Sequence, residues 1–112
     1  LSFQPIEVIE EALRAPRAQY TENTSVDPSV LRSQLAEIRQ AGYCIEREEF
    51  IADIRGIAAP VFDFNGTVIA AIAVVGPSAR ITEGQIEALV PLTLRTAESI
   101  SRSLGHKPYK DA

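Results

Sequence analysis

Methionine and tryptophan are absent from the 112 residues, and cysteine and histidine occur once each, as Cys44 and His106. A single cysteine excludes an internal disulfide. With the one histidine far along the chain, Cys44 reads as a small buried hydrophobe rather than as the nucleophile of a Cys/His pair. Basic charge is also scarce: 11 Lys and Arg stand against 15 Asp and Glu, a net charge of -4. That balance excludes a surface that grips a phosphate backbone, which needs clustered Lys and Arg. The longest apolar run, residues 68–75, has strand length and falls well short of the roughly 20 residues that span a bilayer. No glycine-rich loop of the phosphate-cradling kind occurs, and nothing has the basic start, apolar middle and small-residue cleavage site of a leader. These gaps predict a cytoplasmic domain that works without a membrane, a metal or a cofactor. At 112 residues and 46% hydrophobic content, the chain suffices for one domain with one core.

What is present is concentrated between Arg55 and Pro77, RGIAAPVFDFNGTVIAAIAVVGP. Both arms are rich in Ile, Val, Ala and Phe, no charge falls at 56–62 or 67–75, and Asn65-Gly66 supplies turn chemistry between them. The spacing predicts a hairpin with one face under helices and the other open to a ligand or a subunit. A two-residue turn would ask Pro60 for an N–H it lacks, so the expected turn is a three-residue loop, with Asp63 opening a type I turn and Gly66 left-handed. That register puts Gly56 on the opposite face from Ala73 and Val75. An extra residue bulged at Pro60 would pair Gly56 with Ala73 and bring all three together. The small residues Ala58, Ala59, Ala70 and Ala71 beside Pro60 leave room for something to lie close to the sheet.

Around this hairpin the pattern is helical. Pro5 opens a short amphipathic helix with Ile6, Ile9 and Leu13 on one face and Glu7, Glu10, Glu11 and Arg14 in solvent; Pro16 ends it. The polar stretch up to Val26 reads as a loop. Asp27-Pro28 caps a second helix that carries Leu31, Leu35 and Ile38 and closes at Gly42. A brief strand, Tyr43-Cys44-Ile45-Glu46, and the acidic run Glu48-Glu49 lead into the hairpin. Thr82 and Gln85 have capping-box spacing for a long final helix with the stripe Ile86, Leu89, Val90, Thr93, Leu94, Ala97, Ile100 and Leu104, kinked at Pro91 and ended by Gly105. The fold expected is α+β: an antiparallel β-sheet with helices packed on one face. Residues 1–105 form the domain and residues 106–112 a polar tail. The chain opens at Leu1 with no Met, so it reads as a fragment of something longer.

The residues YTENTSVDPSVLRSQLAEIRQAGYCIEREEF, then RGIAAPVFDFNGTVIAAIAVVGPSARIT, and finally AESISRSLG resemble the effector-binding domain of IclR-type bacterial transcription regulators. The resemblance covers nearly the whole chain. It implies a GAF-like, non-enzymatic domain that binds a small-molecule effector, forms homodimers or homotetramers, and meets DNA only through a helix-turn-helix domain missing from this chain. Carried over position by position, the resemblance implies ligand-binding residues at Glu46, Ile54, Gly56, Ala73 and Val75. Relatives that bind small 2-oxo acids carry Cys or Ser near Gly56 and Ser at the positions of Ala73 and Val75. The alanine and valine here point to a carboxylated but more apolar or aromatic metabolite. Asp53 stands where the family usually has glycine, in a backbone that Asp tolerates when left-handed. Two other readings stay open: a dimerisation module with no physiological ligand, and a small enzyme using Glu46, Glu48 and Glu49. Arg55 and Arg80 are candidates to hold a carboxylate, or to pair with Glu48 or Glu49.

Overall fold

The computed structural model describes residues 1–107; of the polar tail expected at 106–112, the part at 108–112 lies outside the described residues. The elements run α1 (Ile6–Arg14), α2 (Pro28–Ala41), β1 (Cys44–Arg47), β2 (Ile54–Phe62), β3 (Val68–Pro77) and α3 (Glu83–Ser103). The three strands form one antiparallel sheet in the order β1-β2-β3. This is the expected α+β architecture. Among the described residues no helix is long and apolar enough to cross a membrane.

The hairpin turn has the three-residue loop that its residues predict. Asp63 N–H donates to Thr67 O at 2.9 Å, Gly66 N–H donates to Asp63 O at 3.0 Å, and Gly66 is left-handed at φ 77°. The Asp63 carboxylate tightens the loop by accepting the N–H groups of Asn65 and Thr67 at 2.8 and 3.1 Å.

The bulge is not at Pro60. The β2–β3 ladder runs regularly through Pro60 opposite Ala71 and shifts instead between Val61 and Phe62, where Ile69 of β3 is the extra residue. Gly56 therefore pairs with Val75, not with Ala73. The physical reason is the length of β1, whose pairing with β2 ends at Cys44 opposite Ala58. Pro60 lies beyond that end, so among the described residues no strand asks for its missing N–H on the β1 side and no bulge is needed there.

One face of the sheet is sealed. Along β2, Ile57, Ala59 and Val61 alternate with outward residues and are 0–2% exposed. They pack against Ile81, Ile86 and Ala97, with Ile45, Val74, Leu89, Ile72 and Leu94 around them. Thr82 caps α3 by accepting Gln85 N–H at 3.3 Å, as its spacing predicts. Pro91 sits inside a single helix, with Ile86 and Thr93 buried on either side of it.

The C-terminal end of the expected stripe shifts by one residue. Ile100 and Leu104 are exposed, and Ser101 is buried in their place. Ser101 Oγ accepts Phe62 N–H at 3.0 Å and donates to Ala97 O at 2.8 Å, which lets the helix approach the end of β2 while satisfying a backbone donor.

The first two helices pack on each other, tied by a two-point contact of Arg32 with Glu10 at 2.9 Å for each bond. Glu10 is therefore paired rather than free in solvent, and the Arg32 guanidinium lowers its carboxyl below the ordinary value. Asp27 caps α2 through Ser29 N–H at 2.8 Å, and Gly42 closes the helix in the left-handed region at φ 87°. Ile9 and Leu13 of α1 are buried, whereas α2 buries none of its stripe fully.

Candidate functional site

The unsealed face follows from the same register. Cys44 stands beside Ala58 and Ala58 beside Ala73; Glu46 stands beside Gly56 and Gly56 beside Val75; Pro60 faces Ala71 and Ile54 faces Pro77. All five residues implied by the resemblance, Glu46, Ile54, Gly56, Ala73 and Val75, thus share one face, and the extra residue that makes this possible is Ile69. The row on β3 is open: Ala71 and Ala73 are exposed and Val75 is 64% exposed. Gly56 is closed over, since a Cβ there would lie 3.2 Å from Val74 O and 3.3 Å from a Val75 methyl. Its role in the geometry is to let Val75 lie flat across β2.

A cleft of about 470 Å³ adjoins this row, within the size range of small-molecule sites. Its floor is Ala58, Pro60 and Ala71, and its walls are Phe3, Leu35, Ile38 and Tyr43. The four alanines flagged beside Pro60 all line it. None of the five implied residues does; they continue the same face toward the acidic loop. The contribution of Phe3 and α2 escaped sequence reasoning because it depends on long-range packing, although Leu35 and Ile38 were already legible as an apolar stripe.

Beyond β1, the acidic run folds into a turn that uses its own charges. Glu46 Oε1 accepts the N–H groups of Glu49 and Phe50 at 2.6 and 3.0 Å. Glu48 and Asp53 are both left-handed, at φ 60° and 63°, so Asp53 takes the backbone expected at the family's glycine position. Glu48 Oε1 accepts the Ser78 hydroxyl at 2.9 Å, and Ser78 N–H donates to Asp53 O at 2.8 Å. Burial, reinforced by neighbouring Glu46, pushes the Glu49 carboxyl up. Burial likewise raises the Cys44 thiol, with Glu49 and Glu46 adding to it, which suppresses the nucleophilic thiolate.

The arginines face elsewhere. Arg47 makes a two-point contact with Glu83 at 3.1 and 2.9 Å, and Arg55 reaches the same carboxylate at 3.1 Å and Ile81 O at 3.3 Å. The Arg55 pair is structural, with Glu83 rather than Glu48 or Glu49 as its partner, because Arg55 pairs with Arg47 on the side that α3 covers. The Arg47 contact also holds the Glu83 carboxyl below its ordinary value.

Besides Ser78, three residues outside the expected site hold this turn by its carbonyls. Asn23 Nδ2 donates to Arg47 O at 3.1 Å, and the hydroxyls of Thr21 and Thr24 donate to Glu48 O and Glu49 O. The available signal was the Thr-x-x-Thr spacing just before the Asp27 cap, in a stretch that reads only as loop.

Residues 1–102 match the family model for the bacterial transcriptional regulator IclR C-terminal region. The chain is 36% identical over 105 residues to the HTH-type transcriptional repressor AllR of Klebsiella pneumoniae, covering 94% of this chain and 39% of that protein. It spans about two-fifths of the length of such curated relatives. Among solved structures, the IclR of Thermotoga maritima superposes with a TM-score of 0.88 at 34% identity, over 94% of this chain and 43% of that one. The inducer-binding domain of the Acinetobacter transcription factor PobR, a double mutant in complex with 3-hydroxybenzoic acid, superposes at 0.81 with 28% identity, over 89% and 58%.

Proposed function

The chain belongs to the family of bacterial transcriptional regulator IclR C-terminal domains, and from that premise we propose that its open sheet face binds a small carboxylated, partly apolar or aromatic metabolite. Relatives of this chain are named as transcriptional repressors, and the domain is a regulator's sensor rather than an enzyme. The observation that carries the ligand reading is the register: Ile54, Gly56, Ala73 and Val75 share a face with Ala58, Pro60 and Ala71, and among the described residues helix α2 reaches that row only as the wall of the cleft at its Pro60 end. The row offers methyl groups and no hydroxyl, which favours an apolar body. The 3-hydroxybenzoic acid held by the PobR domain is a molecule of that description. The carboxylate would be met by backbone N–H groups.

In this reading, binding at the face and at the Glu46 rim favours one arrangement of a homodimer or homotetramer. A helix-turn-helix domain outside this chain changes its fit to DNA in consequence. The test is thermal denaturation over a panel of aliphatic and aromatic carboxylates that includes 3-hydroxybenzoate. A ligand at 100 times its dissociation constant stabilises the folded state by about 2.7 kcal/mol, and the Ala73→Trp substitution should abolish the shift. A flat panel overturns the sensor reading. The exposed apolar row on β3 also favours a second reading, a pure dimerisation module. That reading predicts concentration-dependent sedimentation lost in Val75→Asp, with no carboxylate response.

A further inference from the structure

Two polar turns far apart in the sequence meet at the rim of the open face. In the first, residues 20–24, the backbone orients both hydroxyls. Thr24 Oγ1 accepts the N–H groups of Tyr20 and Thr21 at 3.2 and 3.0 Å, and Thr21 Oγ1 accepts Asn23 N–H at 3.0 Å. With lone pairs engaged inside the turn, the hydroxyl protons are directed outward. Their targets are neighbouring carbonyls of the second turn: Thr21 donates to Glu48 O and Thr24 to Glu49 O, while Asn23 Nδ2 takes Arg47 O.

The other side of that second turn is gathered by Glu46, which accepts the N–H groups of Glu49 and Phe50. One peptide segment is therefore held by its carbonyls from residues 20–24 and by its N–H groups from β1. Glu48 is kept at φ 60° between the two grips, a conformation that a residue with a side chain holds only under constraint. The Tyr20 ring meets the Phe50 ring edge-on at 4.7 Å and closes the same junction.

We infer that Thr21, Asn23 and Thr24 are positioning residues for Glu46: they hold the 47–50 turn in the shape that captures its carboxylate. They thereby decide whether that carboxylate stays in the turn or is released toward the open face it shares with Gly56 and Val75. The geometry stands without the sensor reading; the functional consequence rests on it. Thr24 lies three residues before the Asp27 cap of α2, so the clasp also ties the rim to the start of that helix.

The test is residue-resolved amide hydrogen exchange on the 112-residue chain. In the double variant Thr21→Val/Thr24→Val, the amides of Glu49 and Phe50 should lose at least tenfold protection although neither bonds a threonine. The amides of the β2–β3 ladder and of α3 should keep theirs. Thr21→Ser/Thr24→Ser should restore protection, and Glu46→Gln should lower it at the same two amides. Unchanged exchange at Glu49 and Phe50 in the valine variant overturns the inference, and so does a loss there that adding Glu46→Gln deepens as much as it does in wild type, because threonines acting on the peptide units alone would not work through the Glu46 carboxylate. If the valine variant does not fold, Asn23→Ala gives the same readout. A flat carboxylate panel with intact coupling removes the effector and leaves the clasp; a working panel without coupling does the reverse.

Discussion

The two faces of the sheet are built from nearly the same residue types and end in opposite states. Ile57, Ala59 and Val61 lie under α3 at 0–2% exposure, whereas across the sheet Ala71, Ala73 and Val75 stand open. What separates them is partnership rather than hydrophobicity. α3 carries a stripe that matches the first face, while α1 and α2 pack on each other and reach the second mainly as the wall of a cleft at its Pro60 end. An apolar face that a fold leaves uncovered is where a ligand or a subunit is expected.

The largest effect that sharpens this comparison is on the sealed side. Ile57→Ala should lower unfolding free energy by ~2–5 kcal/mol in urea denaturation, since the side chain is wholly buried and a cavity would remain. Next, Ser101→Ala removes the acceptor of Phe62 N–H and should cost about 1–3 kcal/mol, while Ser103→Ala on the exposed side of the same helix should cost almost nothing.

A smaller effect belongs to the charged rim where Arg47 and Arg55 meet Glu83. The Glu83 carboxyl is lowered in the folded state from an ordinary value of 4.5, first by its hydrogen bond from Arg47. Its contribution is therefore present above about pH 4.5 and is lost as the pH falls through the lower folded value. The melting-temperature gap between wild type and Glu83→Gln should be open at pH 7 and close on acidification; a gap that widens toward low pH would contradict the pairing. The smallest stability effect is expected on the open face, where Val75→Ala should change unfolding free energy by no more than about 0.5 kcal/mol. A cost there equal to that of Ile57→Ala would mean that the two faces do not differ.

Local chemistry made much of the fold legible. The Asp27 and Thr82 caps, the left-handed Gly42 and the Asp63–Gly66 loop each follow from a few adjacent residues. The bulge was misplaced because it depends on where β1 stops, and β1 is a different segment: Pro60 constrains a neighbour only where a neighbour exists. Ser101 was overlooked because hydrophobic periodicity cannot register a hydroxyl that enters the core to meet a strand N–H. At the candidate site, the register read from the sequence puts Gly56 on the opposite face from Ala73 and Val75 unless a bulge lies at Pro60; the ladder is regular there, and the shared face comes instead from the extra residue Ile69. The Glu46 carboxylate engages Glu49 and Phe50 only three and four residues away, but within an irregular turn that no periodicity marks; the grip of Thr21 and Thr24 on the same turn joins segments more than twenty residues apart.

The contrast between the faces is tested most directly by methyl-detected NMR, titrating the chain with the carboxylate that gives the largest thermal shift. The methyl signals of Ile54, Ala73 and Val75 should move with saturation while those of Ile57 and Val61 stay in place. Movement confined to the sealed face, or no saturable movement at all, would contradict the assignment of the open face as the effector site.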